Sequence, residues 1–139
     1  MRNSKMRLVA GLFAGLLLSA CGPASEPEAP PGQVSEERVV ARWQSMIERD
    51  FESVWEYHSP GFRQQTPRAD FVREMQRRPF RWIEVEFLGL DCQAEVCEVE
   101  LRVVYQAVGA PAGMGRMRVP RLVRERWVHL EGSWWYSSN

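Results

Sequence analysis

Three cysteines carry the most specific chemistry in this 139-residue chain. Cys92 and Cys97 are separated by four residues, and Cys21 stands far from both. The spacing is atypical for zinc, and His58 and His129 do not obviously complete a set of four ligands. In an oxidising compartment the pair is expected to form a disulfide that holds the end of a hairpin, with a redox role as the alternative.

Asp50, Tyr57 and His58 form a second group of reactive side chains. A carboxylate, a phenol and an imidazole could act as an acid–base group at the mouth of an apolar pocket. The competing interpretation is that Asp50 caps or turns the chain and that Tyr57 packs with its hydroxyl near the surface. No nucleophile triad, phosphate-binding glycine loop or metal motif is present, so the sequence predicts no catalytic residue, cofactor or metal.

Aromatic residues concentrate near the end of the chain. Trp127 and His129 share one predicted strand, and Trp134 and Tyr136 are expected opposite them across a hairpin. This platform is either core or, if exposed, a surface for a partner. The candidate residues for a pocket or a partner surface are Asp50, Tyr57, His58, Tyr105, Trp127 and Trp134.

The elements that must position these residues begin with predicted helices. Ser35 is typical of an N-cap, and apolar residues recur with a helical period up to Val54, with a bend near Arg49-Asp50. Ser59-Pro60-Gly61 is expected to end this helical region. A second helix is predicted from Thr66 to about Arg78, with Pro67 at its first position.

A period of two then predicts strands. Ile83, Val85 and Phe87 alternate with Trp82 and two glutamates, and odd-numbered residues 99–105 alternate with charged ones. Cys92 is even-numbered and Cys97 odd-numbered, so the two can share a face only if the pairing register shifts by one residue before Cys92. Gly89 is the natural site for the β-bulge that would make this shift.

Two more strands, joined by a turn at Glu131-Gly132, complete an antiparallel meander after the helices. The expected fold class is α+β, with helices packed on a curved antiparallel sheet. Five arginines, Arg116, Arg118, Arg121, Arg124 and Arg126, are expected to pair on the solvent face with Glu84, Glu86, Glu98 and Glu100.

The first twenty residues have the organisation of a secretory signal. Arg2, Lys5 and Arg7 precede an apolar run over 8–18, which is too short to be a comfortable membrane span. The tetrad Leu18-Ser19-Ala20-Cys21 resembles the bacterial lipobox, which implies that Cys21 is lipidated and becomes the mature N-terminus. The alternative is an ordinary cleavage site that precedes a cysteine by chance.

Residues 21–34 are predicted to be a lipidated N-terminus followed by a disordered, proline-rich tether, with one folded domain over 35–139. Loss of three basic residues with the signal leaves 15 basic against 18 acidic, so the mature chain carries a net charge near −3. Such a charge disfavours nucleic-acid binding. The predicted location is the periplasm-facing cell envelope, with Gly22 after the cysteine favouring the outer membrane over the inner one.

The region 35–139 resembles the NTF2-like (cystatin-like) superfamily and its small bacterial lipoproteins. The residues that carry this resemblance are Arg42-Trp43, Asp50-Phe51, Tyr57, Ser59-Pro60, Phe62-Arg63, the Cys92/Cys97 hairpin, Trp127, Gly132 and Trp134-Trp135. The resemblance implies a cone of helices against a strongly bent sheet, with a pocket between them. Its members include ketosteroid isomerase, polyketide cyclases and many non-catalytic modules.

Three functions follow as hypotheses. The first is a membrane-anchored, non-catalytic domain that binds a small apolar ligand or an envelope protein. The second is an enzyme of the cyclase or isomerase type that uses the cone pocket. The third is a structural accessory subunit of an envelope complex. Fold alone does not choose among them.

Overall fold

The computed structural model describes residues 32–109, 111–112 and 117–138. The predicted signal peptide, Cys21 and most of the predicted tether therefore lie outside the described residues. Four helices come first: α1 (Glu36–Glu48), α2 (Phe51–Glu56), α3 (Pro60–Gln65) and α4 (Arg68–Gln76). Four strands follow: β1 (Phe80–Gln93), β2 (Val96–Ala107), β3 (Arg118–Leu130) and β4 (Ser133–Ser137). None of these helices is long and apolar enough to span a bilayer.

The first two helices meet at the bend that the sequence predicts. The Ser35 side chain caps α1 by accepting a hydrogen bond from the Arg38 N–H. Arg49 ends α1 in the left-handed region, with φ of 64°. Asp50 then caps α2, where its carboxylate accepts hydrogen bonds from the Ser53 N–H and hydroxyl. Asp50 thus has the structural role that the sequence offers as one of two interpretations.

A helix that the sequence does not predict begins at Pro60. The Ser59-Pro60-Gly61 run does end one helical region, but it also starts the next. The Ser59 hydroxyl accepts from the Phe62 N–H, and Pro60 occupies a first-turn position where its missing N–H is not needed. The predicted second helix, α4, follows Pro67.

The sheet has the strand order β1-β2-β3-β4, and every neighbouring pair is antiparallel. Odd-numbered residues of β2 and β3 face the helices, and Leu101, Val103 and Trp127 are completely buried. Val34, the last residue of the predicted tether, is buried in the same core. The described residues form an α+β domain with four helices and an open four-stranded antiparallel sheet.

The other face of the sheet carries cross-strand ion pairs of the predicted kind. They are Arg102–Glu86, Arg124–Glu100 and Arg126–Glu98. All of these side chains are about half exposed or more, so each pair contributes at most about 1 kcal/mol to stability. These charged pairs make this face of the sheet hydrophilic. The candidate site described below lies on the opposite face, against the helices.

The prediction that Trp82 shares the polar face of β1 is wrong. Its side chain is buried in the core, because β1 shifts register against β2 between Trp82 and Glu84. A shift of one residue moves the positions before it to the opposite face. Phe51 and Phe80 pack edge-on against the Trp82 ring.

The structure contains the Cys92–Cys97 disulfide. The two residues lie directly opposite each other in the β1–β2 hairpin, and a register shift lies between Phe87 and Gly89, where the parity argument places it. Because the bond closes a short loop, its stabilisation is expected to be about 2 kcal/mol or less. It holds the hairpin end next to Trp127, which pairs with Cys97 across β2 and β3.

Candidate functional site

A cavity of about 450 Å³ lies between the helices and the inner face of the sheet. Helices α1, α3 and α4 form one side, and residues from all four strands form the other. The aromatic side chains that line it are Trp43, Phe62, Phe71, Trp82, Tyr105 and Tyr136. Its volume is within the range of about 300–1,000 Å³ that is typical of small-molecule sites.

A buried ion pair joins α1 to β3 in the wall of this cavity. The Arg42 Nη1 lies 2.7 Å from the Glu125 Oε1, and the two side chains are 5% and 3% exposed. The other carboxylate oxygen of Glu125 accepts a hydrogen bond from the Trp127 Nε1. The Arg42 guanidinium carbon lies 3.6 Å from the centre of the Tyr136 ring. The cation therefore has a counter-charge on one side and an aromatic face on another.

Sequence reasoning missed this pair as a site, although signals for both members were present. Glu125 has the same parity in β3 as the inward-facing Trp127, and this parity places its carboxylate on the buried face of the sheet. Arg42 lies on the helical stripe that contains Val39 and Met46. A charged residue on a buried face needs a partner, but 83 positions separate these two in sequence.

Two buried hydrogen-bond donors near the ion pair have no partner among the described residues. They are the Arg42 Nε and the Trp43 Nε1. Both residues line the cavity. An unsatisfied buried donor costs about 1–3 kcal/mol, so an acceptor placed in the cavity beside these two groups would be stabilising.

His58 lines the same cavity and is 3% exposed. Its Nδ1 lies 3.1 Å from the Val54 carbonyl oxygen, and its ring stacks on Phe62. Burial, together with the positive charge of Arg42, lowers the pKa of His58 to about 4. The imidazole is therefore neutral at pH 7, and with Nδ1 donating to Val54 its Nε2 is an acceptor.

We expect the shifted pKa of His58 to make the domain acid-sensitive. In the unfolded chain His58 binds a proton at its ordinary pKa of 6.5, whereas the folded state resists protonation down to about 4. Protonation therefore favours unfolding, and stability falls as the pH drops through that window. We expect the free energy of unfolding, measured with urea, to fall more between about pH 7 and pH 5 in the wild type than in His58→Gln. Equal losses in the two proteins would contradict this assignment.

The tyrosines of the cavity remain protonated donors. Burial raises the pKa of the Tyr136 hydroxyl and of the Tyr105 hydroxyl above the ordinary value. The site thus presents phenol donors, an imidazole acceptor and a neutralised ion pair on apolar walls. Among the described residues, no three His, Cys, Asp or Glu side chains come together in a way that could hold a metal ion.

The structure separates the predicted Asp50, Tyr57 and His58 group. Only His58 lines the cavity. Asp50 is exposed at the start of α2, where hydrogen bonds from Ser53 lower the pKa of its carboxyl. Tyr57 lines a different, smaller cavity next to Trp135. An acid–base group made of these three residues is therefore not assembled in this fold.

The other predicted residues have mixed positions. Tyr105 lines the cavity, whereas Trp127 is completely buried behind it as core. Trp134 is partly buried against the core, and its ring lies 5.1 Å from that of His129. The aromatic platform is thus mainly structural cover. Its Tyr136 is the member that reaches the cavity and contacts His58.

Solved structures to which the chain is similar are SEC-C motif-containing proteins. One, from Rhodopseudomonas palustris, is 18% identical and aligns over 70% of each chain with a TM-score of 0.54. Another, from Psychrobacter arcticus, is 12% identical with a TM-score of 0.57, and the alignment covers 81% of this chain but only 63% of that one. Neither a protein-family model nor a curated protein sequence matches the chain. At these identities the likeness concerns the fold alone.

These comparisons correct the resemblance drawn from the sequence. The neighbours are SEC-C motif-containing proteins, which have a different fold from the NTF2-like proteins, and the sheet is an open four-stranded meander with a few helices. The element order and aromatic pattern on which the resemblance relied are features that unrelated α+β folds share. The functions that the NTF2-like assignment implied no longer have that support.

Proposed function

We propose that this protein is a lipid-anchored protein of the bacterial envelope whose α+β domain binds a small, mainly apolar ligand in the cavity between helices and sheet. The observation that carries the proposal is the cavity of about 450 Å³, with aromatic walls and two buried donors that lack partners among the described residues. Such a combination of apolar walls with a few placed polar groups is characteristic of ligand sites.

The ligand is expected to carry a hydrogen-bond acceptor on a flat or compact apolar body. A carbonyl or ether oxygen placed beside Arg42 and Trp43 would satisfy donors that have no partner in the described part of the chain. The charge of Arg42 is already balanced by Glu125, so a neutral ligand does not leave a buried charge unpaired. A donor group on the ligand could bind the Nε2 of His58.

The protonation state of His58 favours a binding function over a catalytic one. A general base works best when its pKa is near the operating pH, and a pKa of about 4 makes His58 a weak base at neutral pH. Asp50, the carboxylate that the sequence grouped with His58, lies outside the cavity, and the Glu125 carboxylate in its wall is paired with Arg42.

The location in the envelope rests on the sequence of residues 1–21, with support from one structural feature. Disulfides persist in oxidising compartments such as the periplasm and are rare in the cytosol. The Cys92–Cys97 bond is therefore consistent with export.

Filling the cavity tests ligand binding. Val123 lines the cavity, and Val128 lies on the same strand with the opposite parity and does not line it. We expect Val123→Trp to weaken binding of the neutral, apolar fluorophore N-phenyl-1-naphthylamine by about tenfold or more, since the indole would take up the space. Val128→Trp should leave the binding within about twofold.

Fluorescence titration measures both variants, and thermal melting shows whether each is folded. Dye binding that survives Val123→Trp unchanged would place the dye elsewhere and contradict the proposal. So would a wild-type protein that does not bind the dye.

A further inference from the structure

A second cavity, of about 400 Å³, gathers two arginines around one tryptophan. It is lined by Arg38, Ser53, Glu56, Tyr57, Arg63 and Trp135. Successive residues of a strand point to opposite faces, so Trp135 lies on the other side of β4 from Tyr136 and the first cavity. The two cavities are therefore separate sites, and a ligand in the second does not require one in the first.

Both guanidinium groups in this cavity lack a carboxylate partner among the described residues. The Arg38 Nε donates to the Trp134 carbonyl oxygen at 2.9 Å, which orients its side chain. The Arg63 Nε is buried and has no partner in the described part of the chain. Glu56 also lines the cavity, but its carboxylate is held by Arg68 at 2.9 Å.

Aromatic rings hold the two cations in place. The Arg63 guanidinium lies 4.8 Å from the centre of the Trp135 ring and 5.5 Å from that of Trp55. The Arg38 guanidinium lies 5.8 Å from the same Trp135 ring and 5.2 Å from the Tyr57 ring. A guanidinium placed over a ring keeps its N–H edge free to bind an anion. The site is thus organised before any ligand arrives.

We propose that Arg38 and Arg63, placed around Trp135, bind a phosphate group. One arginine fork satisfies the two oxygens of a carboxylate, whereas a phosphate has enough oxygen acceptors for two forks at once. The buried Nε of Arg63, unpartnered among the described residues, is a donor that such an anion would satisfy.

The phosphate could belong to a lipid headgroup or to a small soluble phosphate. Arg38 lies three residues after the Ser35 cap, so the site is at the end of the domain where the N-terminal segment joins it. Both sources present the same chemistry to the two arginines, and the experiment has one arm for each.

Isothermal titration of the full-length chain in dodecyl maltoside, which has an uncharged headgroup, tests the site. One arm uses inorganic phosphate and the other dihexanoyl phosphatidylglycerol. We expect Arg63→Gln and Arg38→Gln each to weaken binding by about tenfold or more, because each removes a charge-assisted pair of hydrogen bonds. Arg63→Lys keeps the charge without the planar fork and should bind with intermediate affinity.

The matched control is Arg81→Gln, which removes the same charge from an exposed position of β1 that does not line the cavity. It should change the affinity by less than about twofold. Tighter binding of the lipid would assign the phosphate to a headgroup, and tighter binding of inorganic phosphate would assign it to a soluble ligand. Either result supports the site.

Binding of neither probe by the wild-type chain would overturn the proposal. An equal loss in Arg81→Gln and Arg63→Gln would also overturn it, since binding would then depend on net charge alone. Thermal melting of each variant checks folding. If one glutamine variant does not fold, the other and Arg63→Lys still decide the question.

Discussion

Glu125→Gln is expected to lower the free energy of unfolding by about 3–5 kcal/mol. The substitution keeps the shape of the side chain but leaves the Arg42 cation buried without its counter-charge. Arg42 is 4% exposed, so water cannot replace the lost carboxylate. Urea unfolding at pH 7, with the disulfide intact, measures the loss.

The double variant Arg42→Met, Glu125→Leu is expected to recover most of that loss, because it removes both charges and leaves apolar side chains of similar size. The exposed pair Arg124–Glu100 supplies the control, and Glu100→Gln should cost less than about 1 kcal/mol. The prediction fails if Glu125→Gln costs no more than Glu100→Gln. It also fails if the double variant is as unstable as the single one.

Replacement of Cys21 by Ser is expected to abolish membrane anchoring completely. Under the proposed lipidation, two or three acyl chains would bind a bilayer stably at about 0.8 kcal/mol per buried methylene, and all of that free energy would depend on the Cys21 sulfur and the mature N-terminus. Metabolic labelling with palmitate, followed by membrane fractionation, measures the effect. The wild type should be labelled and sediment with membranes.

The Cys21→Ser variant should be unlabelled and leave the membrane pellet, with its domain still folded. Cys92→Ser is the matched control, because it removes a different cysteine and should leave labelling unchanged. Retention of an unlabelled Cys21→Ser protein in the pellet, or labelling of that variant, would count against lipid anchoring.

Local features of this fold could be predicted because neighbouring residues determine them. Ser35 caps α1, Arg49-Asp50 bends the helical region, and Glu131-Gly132 turns the last hairpin with φ of 52° and 78°. The register shift near Gly89 followed from the parity of two strands and one disulfide. Each of these depends on a few adjacent positions.

Two local signals were ambiguous, and packing decided between their outcomes. Pro60 can end a helix or begin one, and here the Ser59 cap and the contacts of Phe62 with His58 and Phe71 stabilise α3. The alternation around Trp82 placed it with the polar residues, but a register shift turns it into the core. A bulge of this kind leaves no reliable trace in a period-two pattern.

The candidate site depends on tertiary structure to a greater degree. The sequence grouped His58 with Asp50 and Tyr57 because they are close along the chain, yet only His58 faces the cavity. The site consists instead of His58 with Arg42 and Glu125. The resemblance to NTF2-like proteins failed for a related reason, since an order of elements does not specify how those elements pack.

By itself, the sequence determined the α+β class, most helix and strand positions and the disulfide pair. It also predicts the lipidation of Cys21, which lies outside the described residues. Those properties depend on hydrophobic period, capping residues and spacing, which are local. The tertiary structure decided which polar groups are buried together. The Arg42–Glu125 ion pair and the two arginines around Trp135 exist only because segments that are distant in sequence pack together in the folded chain.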